Sequence, residues 1–163
     1  MPDLFTHVGG TERPTSPRLP SPQWPAVQLT SSLVVIVDAS ATRRILVEAS
    51  LLQSNYEVKG FADGREALRW LTHAKTPTPA LVLVDTDLPG LDGYDIIRYL
   101  KARPTFAQTR LLMTSQPTIL EHLKARLAGA RACIARPFTA EDLLSTIQTL
   151  TTLQEAGSSA QHL

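Results

Sequence analysis

With a single cysteine, Cys133, in 163 residues, the chain can form no internal disulfide and no multi-cysteine metal cluster. A dominant charge is missing too. Sixteen Lys and Arg stand against fifteen Asp and Glu, for a net charge of +1, and they are scattered, so no basic stripe marks a nucleic-acid surface. No apolar run approaches the ~20 residues of a membrane helix, and no basic segment followed by an apolar one opens the chain. Glycine is absent from Asp38-Ala39-Ser40-Ala41-Thr42, which argues against a dinucleotide or Walker-type loop, and there is no Gly-x-Ser-x-Gly elbow. His7, His73, His122 and His162 lack metal-ligand spacing. The expectation is a soluble, unexported, cytoplasmic protein that binds neither nucleic acid nor membrane.

Proline is concentrated at one end. Residues 1–32 hold six of the twelve (Pro2, Pro14, Pro17, Pro20, Pro22 and Pro25), which reads as a disordered arm, and residues 155–163 read as a short polar tail. Between them, 33–154 form one domain in which strand and helix patterns alternate five times. Leu33–Val37, Tyr56–Phe61, Ala80–Val84, Leu111–Met113 and Ala132–Ala135 read as strands. Ile45, Ala49 and Leu52 repeat at helical spacing and predict the buried stripe of the first helix, capped by Ser40, with Arg43 and Arg44 turned elsewhere. Later stripes are Ala67/Leu68/Leu71, Ile96/Ile97/Leu100 and Leu143/Ile147/Leu150, and Gly129 ends the fourth helix. Five βα units in series imply a doubly wound parallel α/β sheet with right-handed crossovers.

In such a sheet, ligands collect outside the carboxyl ends of the strands. Asp85 closes the apolar run of the third strand and is followed by Thr86-Asp87-Leu88-Pro89-Gly90-Leu91-Asp92-Gly93. Asp38, Thr114 and Arg136 end three other strands, so four chemistry-bearing residues converge on one edge, with Asp85 as the candidate reactive centre. Asp92 reads as a turn-former beside Gly93.

These residues resemble the receiver domains of two-component response regulators, such as the chemotaxis regulators. Four features carry the resemblance: Val37-Asp38-Ala39-Ser40 with Arg44; Leu83 through Gly93; Met113-Thr114-Ser115; and Gly129-Ala130 leading to Arg136-Pro137-Phe138. The resemblance implies a flavodoxin-like (βα)5 sheet of strand order 2-1-3-4-5. It implies phosphoryl transfer from a histidine kinase or phosphotransfer protein onto Asp85. Magnesium would be held by Asp38, the Asp85 carboxylate and the Asp87 backbone carbonyl; Thr114 and Arg136 would contact the phosphoryl group; and Arg136-Pro137 would be a cis peptide. Output would pass through the face of the fourth helix, fifth strand and fifth helix, where members of the family also homodimerise.

Three positions depart from that pattern. Ala39 replaces the second of two adjacent acids, so weakened magnesium binding is expected. Arg136 replaces the usual lysine, and its planar fork is expected to bridge Asp38 and Asp85 in competition with the metal. Cys133 stands where an aromatic side chain usually acts as a lever, and reads as a small buried hydrophobe. The chain therefore reads as a stand-alone response regulator, complete from Met1 and without an enzymatic output domain. The alternative is a pseudo-receiver, a protein-binding module that works without phosphorylation; Ala39 favours it.

Overall fold

The computed structural model describes residues 33–159, with side chains described as far as residue 150. The proline-rich arm expected at 1–32 lies outside the described residues. Five strands form one parallel sheet: β1 (Leu33–Val37), β2 (Glu57–Phe61), β3 (Leu81–Asp85), β4 (Arg110–Ser115) and β5 (Ala132–Ala135), in the order β2-β1-β3-β4-β5. The helices are α1 (Ala41–Leu52), α2 (Gly64–Leu71), α3 (Gly93–Lys101), α4 (Ile119–Ala128) and α5 (Ala140–Ser159). The parallel α/β sheet is the one the five alternations imply, and its strand order is the flavodoxin-like one that the resemblance implies. α5 runs on to Ser159, into the stretch where the sequence suggests a polar tail from 155.

Strand side chains alternate between two cores, as the period of a strand requires. Val35, Val37, Val82, Val84 and Met113 pack with residues of α2, α3 and α4; Val34, Ile36, Leu81, Leu83 and Leu112 pack with residues of α1 and α5. β1 and β3 are buried along their whole length because helices cover both faces, which explains their unbroken apolar runs. Side chains secure the helix starts. Ser40, Asp63, Asp92 and Thr118 each accept a backbone N–H of the first turn, and Thr139 and Asp142 cap each other reciprocally. Gly129 ends α4 in the left-handed conformation (φ 111°). Among the described residues no helix is long and apolar enough to cross a membrane.

One helix turns a different face inward from the one its apolar spacing suggests. α1 buries Val47, Ser50 and Leu51, while Ile45 and Leu52 are 66% and 54% exposed. The two stripes lie on opposite sides of the helix and offer similar apolar area, at about 1.5–3 kcal/mol per large side chain buried. Burial therefore does not choose between them. Arg43 lies one turn before Val47 on the face that wins, and its contacts with two strand-end carboxylates fix the rotation of the helix.

Candidate functional site

The parallel register aligns Val37 with Val84 and Asp85 with Thr114, which brings the ends of β1, β3 and β4 level. Asp38 follows β1 directly. The loop after β3 is pinned where Gly93 opens α3: a Cβ at Gly93 would lie 2.2 Å from the Asp85 carbonyl oxygen, so only glycine permits this approach. Asp92, as its sequence context suggests, is a turn and cap residue, accepting from Tyr94 N at 2.8 Å.

Asp85 is 1% exposed. Its Oδ1 accepts from Thr114 Oγ1 at 3.0 Å and lies 3.4 Å from Arg136 Nη1, and its Oδ2 accepts from Arg43 Nη2 at 2.8 Å. Burial first, and then the neighbouring Asp38 carboxylate, push the Asp85 carboxyl above its ordinary range, against the opposing pull of Arg136, Thr114 and Arg43. Asp38 is held still more fully. Its Oδ2 accepts from Arg43 Nε at 2.7 Å, and its Oδ1 accepts from Arg43 Nη2 at 2.8 Å and from Ser40 N at 2.7 Å. Arg44 Nη1 donates to the Asp38 backbone oxygen at 2.6 Å. The hydrogen bond to Asp38 is the main reason why the Arg43 guanidinium holds its proton more tightly than usual.

Asp38, Asp85, Thr114 and Arg136 thus meet at one edge, but the bridging cation is not the expected one. Arg136 does not touch Asp38. It contacts Asp85, donates from Nη2 to Asp87 Oδ2, and reaches Thr86 Oγ1 at 3.5 Å. The physical reason is strand order. Strands are spaced roughly 4.8 Å apart, so β5, three places from β1, starts its loop roughly 14 Å from Asp38 and can serve only the β3 end. Arg43, from the first turn of α1, makes the bridge instead. Its signal in the sequence is the spacing Arg43-Val47-Leu51, in which the polar Ser50 obscures the apolar stripe. Asp87 is in the loop after β3 with its side chain exposed, and the Arg136–Pro137 peptide is cis. Cys133 is half-buried on β5, within 3.1 Å of Ser115 Oγ, and burial raises its thiol pKa, which suits a small structural hydrophobe.

As the side chains stand, the pocket does not fit the magnesium ion that the resemblance implies. Magnesium demands near-octahedral oxygen ligands. Ala39 offers no side-chain oxygen, all four carboxylate oxygens of Asp38 and Asp85 already have donors from the chain, and a guanidinium lies between the two carboxylates. Among the described residues no group of three His, Cys, Asp or Glu side chains could hold a metal ion.

The comparisons with known proteins bear on the fold and the family. Protein PilG of Pseudomonas aeruginosa is 29% identical over 116 residues, covering 71% of this chain and 84% of PilG. The transcriptional regulatory protein PrrA of Mycobacterium tuberculosis is 28% identical over 132 residues, covering 81% of this chain, which spans about half (54%) of PrrA. The solved structure of the chemotaxis response regulator CheY4 of Vibrio cholerae has a TM-score of 0.66 at 28% identity, covering 73% of this chain and 98% of that one. The model of the response regulator receiver domain matches residues 34–148, and the chain belongs to that family.

Proposed function

We propose that this receiver domain accepts a phosphoryl group on Asp85 from a histidine kinase or phosphotransfer protein of a cytoplasmic two-component relay, and hands the signal on by protein contact. The observation that carries this reading is the setting of Asp85: a buried carboxylate at the carboxyl edge of a parallel sheet, with a hydroxyl at 3.0 Å and guanidinium groups on both sides. A carboxylate attacking a phosphoryl group brings two anions together, so the site must supply positive charge and donors. Thr114 can turn its hydroxyl from Asp85 Oδ1 to a phosphoryl oxygen. Arg136 also keeps a buried Nε–H without an acceptor, a donor available to an incoming anion. In the transfer, the donor's N–P bond breaks as an Asp85 O–P bond forms; the bonding pair stays on the imidazole, which takes up a proton.

The outgoing contact is assigned to the face of α4, β5 and α5. In its support, α4 leaves Ile119, Leu120, Leu123 and Leu127 exposed, an apolar patch of the kind that marks protein contacts. A second reading, a binding module independent of phosphorylation, draws support from the Arg43 bridge, which holds Asp38 and Asp85 in one arrangement without any ligand. Fluorine NMR of beryllofluoride, a phosphoryl mimic, decides between them. Bound signals that vanish in Asp85→Asn are expected. Their absence both with and without magnesium would overturn the phospho-acceptor reading in favour of the second.

A further inference from the structure

Two buried carboxylates side by side have to be neutralised, because like charges out of water raise each other's energy steeply. Asp38 and Asp85 are both buried, and what lies between them is a group of the chain itself. The Arg43 fork takes both oxygens of Asp38, through Nε at 2.7 Å and Nη2 at 2.8 Å, and the same Nη2 takes Asp85 Oδ2 at 2.8 Å. Ser40 N and Thr114 Oγ1 complete the set on the remaining sides. Arg43 starts from the first turn of α1, whose start is capped by Ser40, and its planar fork loses less freedom per hydrogen bond formed than a flexible ammonium would. A divalent ion would need oxygens that this fork already holds, and it would have to sit beside a fixed positive charge. Ala39 leaves it one ligand fewer with which to compete.

We infer that Arg43 is the resident cation of this receiver: its guanidinium fills the place between Asp38 and Asp85 that a divalent metal ion would take, and keeps that ion out. Its functional meaning rests on the phospho-acceptor reading of Asp85, for a phosphoryl group arriving there would be met by Arg43 and Arg136 rather than by a metal. Phosphoryl acceptance would then proceed without divalent cations.

The test reads metal binding directly, using manganese(II) as the probe and following the free ion by electron paramagnetic resonance in chelator-treated full-length chain. The wild type is expected to show no saturable binding through the millimolar range. Arg43→Met, which keeps the unbranched stem as far as the Nε position and loses the guanidinium with its charge, is expected to bind at least about tenfold more tightly, and Arg43→Met combined with Ala39→Asp more tightly again. Circular dichroism checks folding; if Arg43→Met unfolds, Arg43→Lys, which keeps the charge but cannot span both carboxylates with one fork, takes its place and is expected to bind more tightly than the wild type. Wild-type binding as tight as that of the Arg43 variants would overturn the inference, and so would silence of every variant, including the one with the restored acid. Neither readout needs phosphoryl transfer. Failure of Asp85 to accept a phosphoryl group, with the manganese pattern intact, would remove the phospho-acceptor reading and leave the resident cation standing.

Discussion

The Arg43–Asp85 contact can be measured apart from everything else at the site by a double-mutant cycle of Arg43→Met and Asp85→Asn. At 2.8 Å and an effective dielectric near 20, the gross attraction is about 6 kcal/mol. Most of it is cancelled. Asp85 loses nearly all its hydration, while Arg43 keeps 31% of its side chain in solvent, where water and salt screen it. Asp85 also keeps Thr114 and Arg136 when Arg43 is removed. The coupling left over is about 1–2 kcal/mol at pH 7, between the values of exposed and fully buried pairs. Urea unfolding of the four proteins, with equal m-values, gives it directly. Arg43→Met alone should destabilise, and should cost less in the Asp85→Asn background. A coupling within about 0.3 kcal/mol of zero, inside ordinary additivity error, would refute the claim that this contact fixes the rotation of α1 and the charge of the site.

Two further predictions follow from the same edge of the sheet. The folded state holds the Asp85 carboxyl above its ordinary range, so it binds that proton more tightly than the unfolded chain, and stability is lost as pH rises from the unfolded value near 3.9 through the raised one. Asp85→Asn should therefore be more stable than the wild type at pH 7, with the advantage fading below about pH 4; thermal melts across that range check it, and a wild type more stable at neutral pH would contradict it. Gly93→Ala would set a Cβ 2.2 Å from the Asp85 carbonyl oxygen, which backbone alone must relieve, so a loss of about 2–4 kcal/mol in urea is expected. A loss under about 1 kcal/mol would show the loop to be more yielding than this contact implies.

The sheet was legible in the sequence because strands covered on both faces must be apolar throughout, as Leu33–Val37 and Leu81–Val84 are, and because each run ends in a polar residue at the same edge. Asp85, Asp38, Thr114 and Arg136 could be placed together on that ground alone. The face of α1 could not. Ile45/Ala49/Leu52 is apolar throughout where the opposite stripe carries Ser50, yet the two offer similar area, and the helix turns toward the side that bears Arg43, whose long-range ion pair local periodicity does not show. Arg136 keeps Asp85 but not Asp38 for the opposite reason: strand order 2-1-3-4-5 sets β5 three places from β1, a distance that the attraction of a guanidinium for a carboxylate does not shorten.

The central claim is that Asp85 accepts a phosphoryl group in a site whose positive charge the chain itself supplies. Intact-mass and peptide mass spectrometry after incubation with acetyl phosphate, in magnesium and in chelator, tests it most directly. The account predicts one hydroxylamine-labile phosphoryl group on Asp85, formed in both conditions and absent from Asp85→Asn. No phosphoryl uptake in either condition would contradict it, and uptake that requires magnesium would contradict the role given to Arg43.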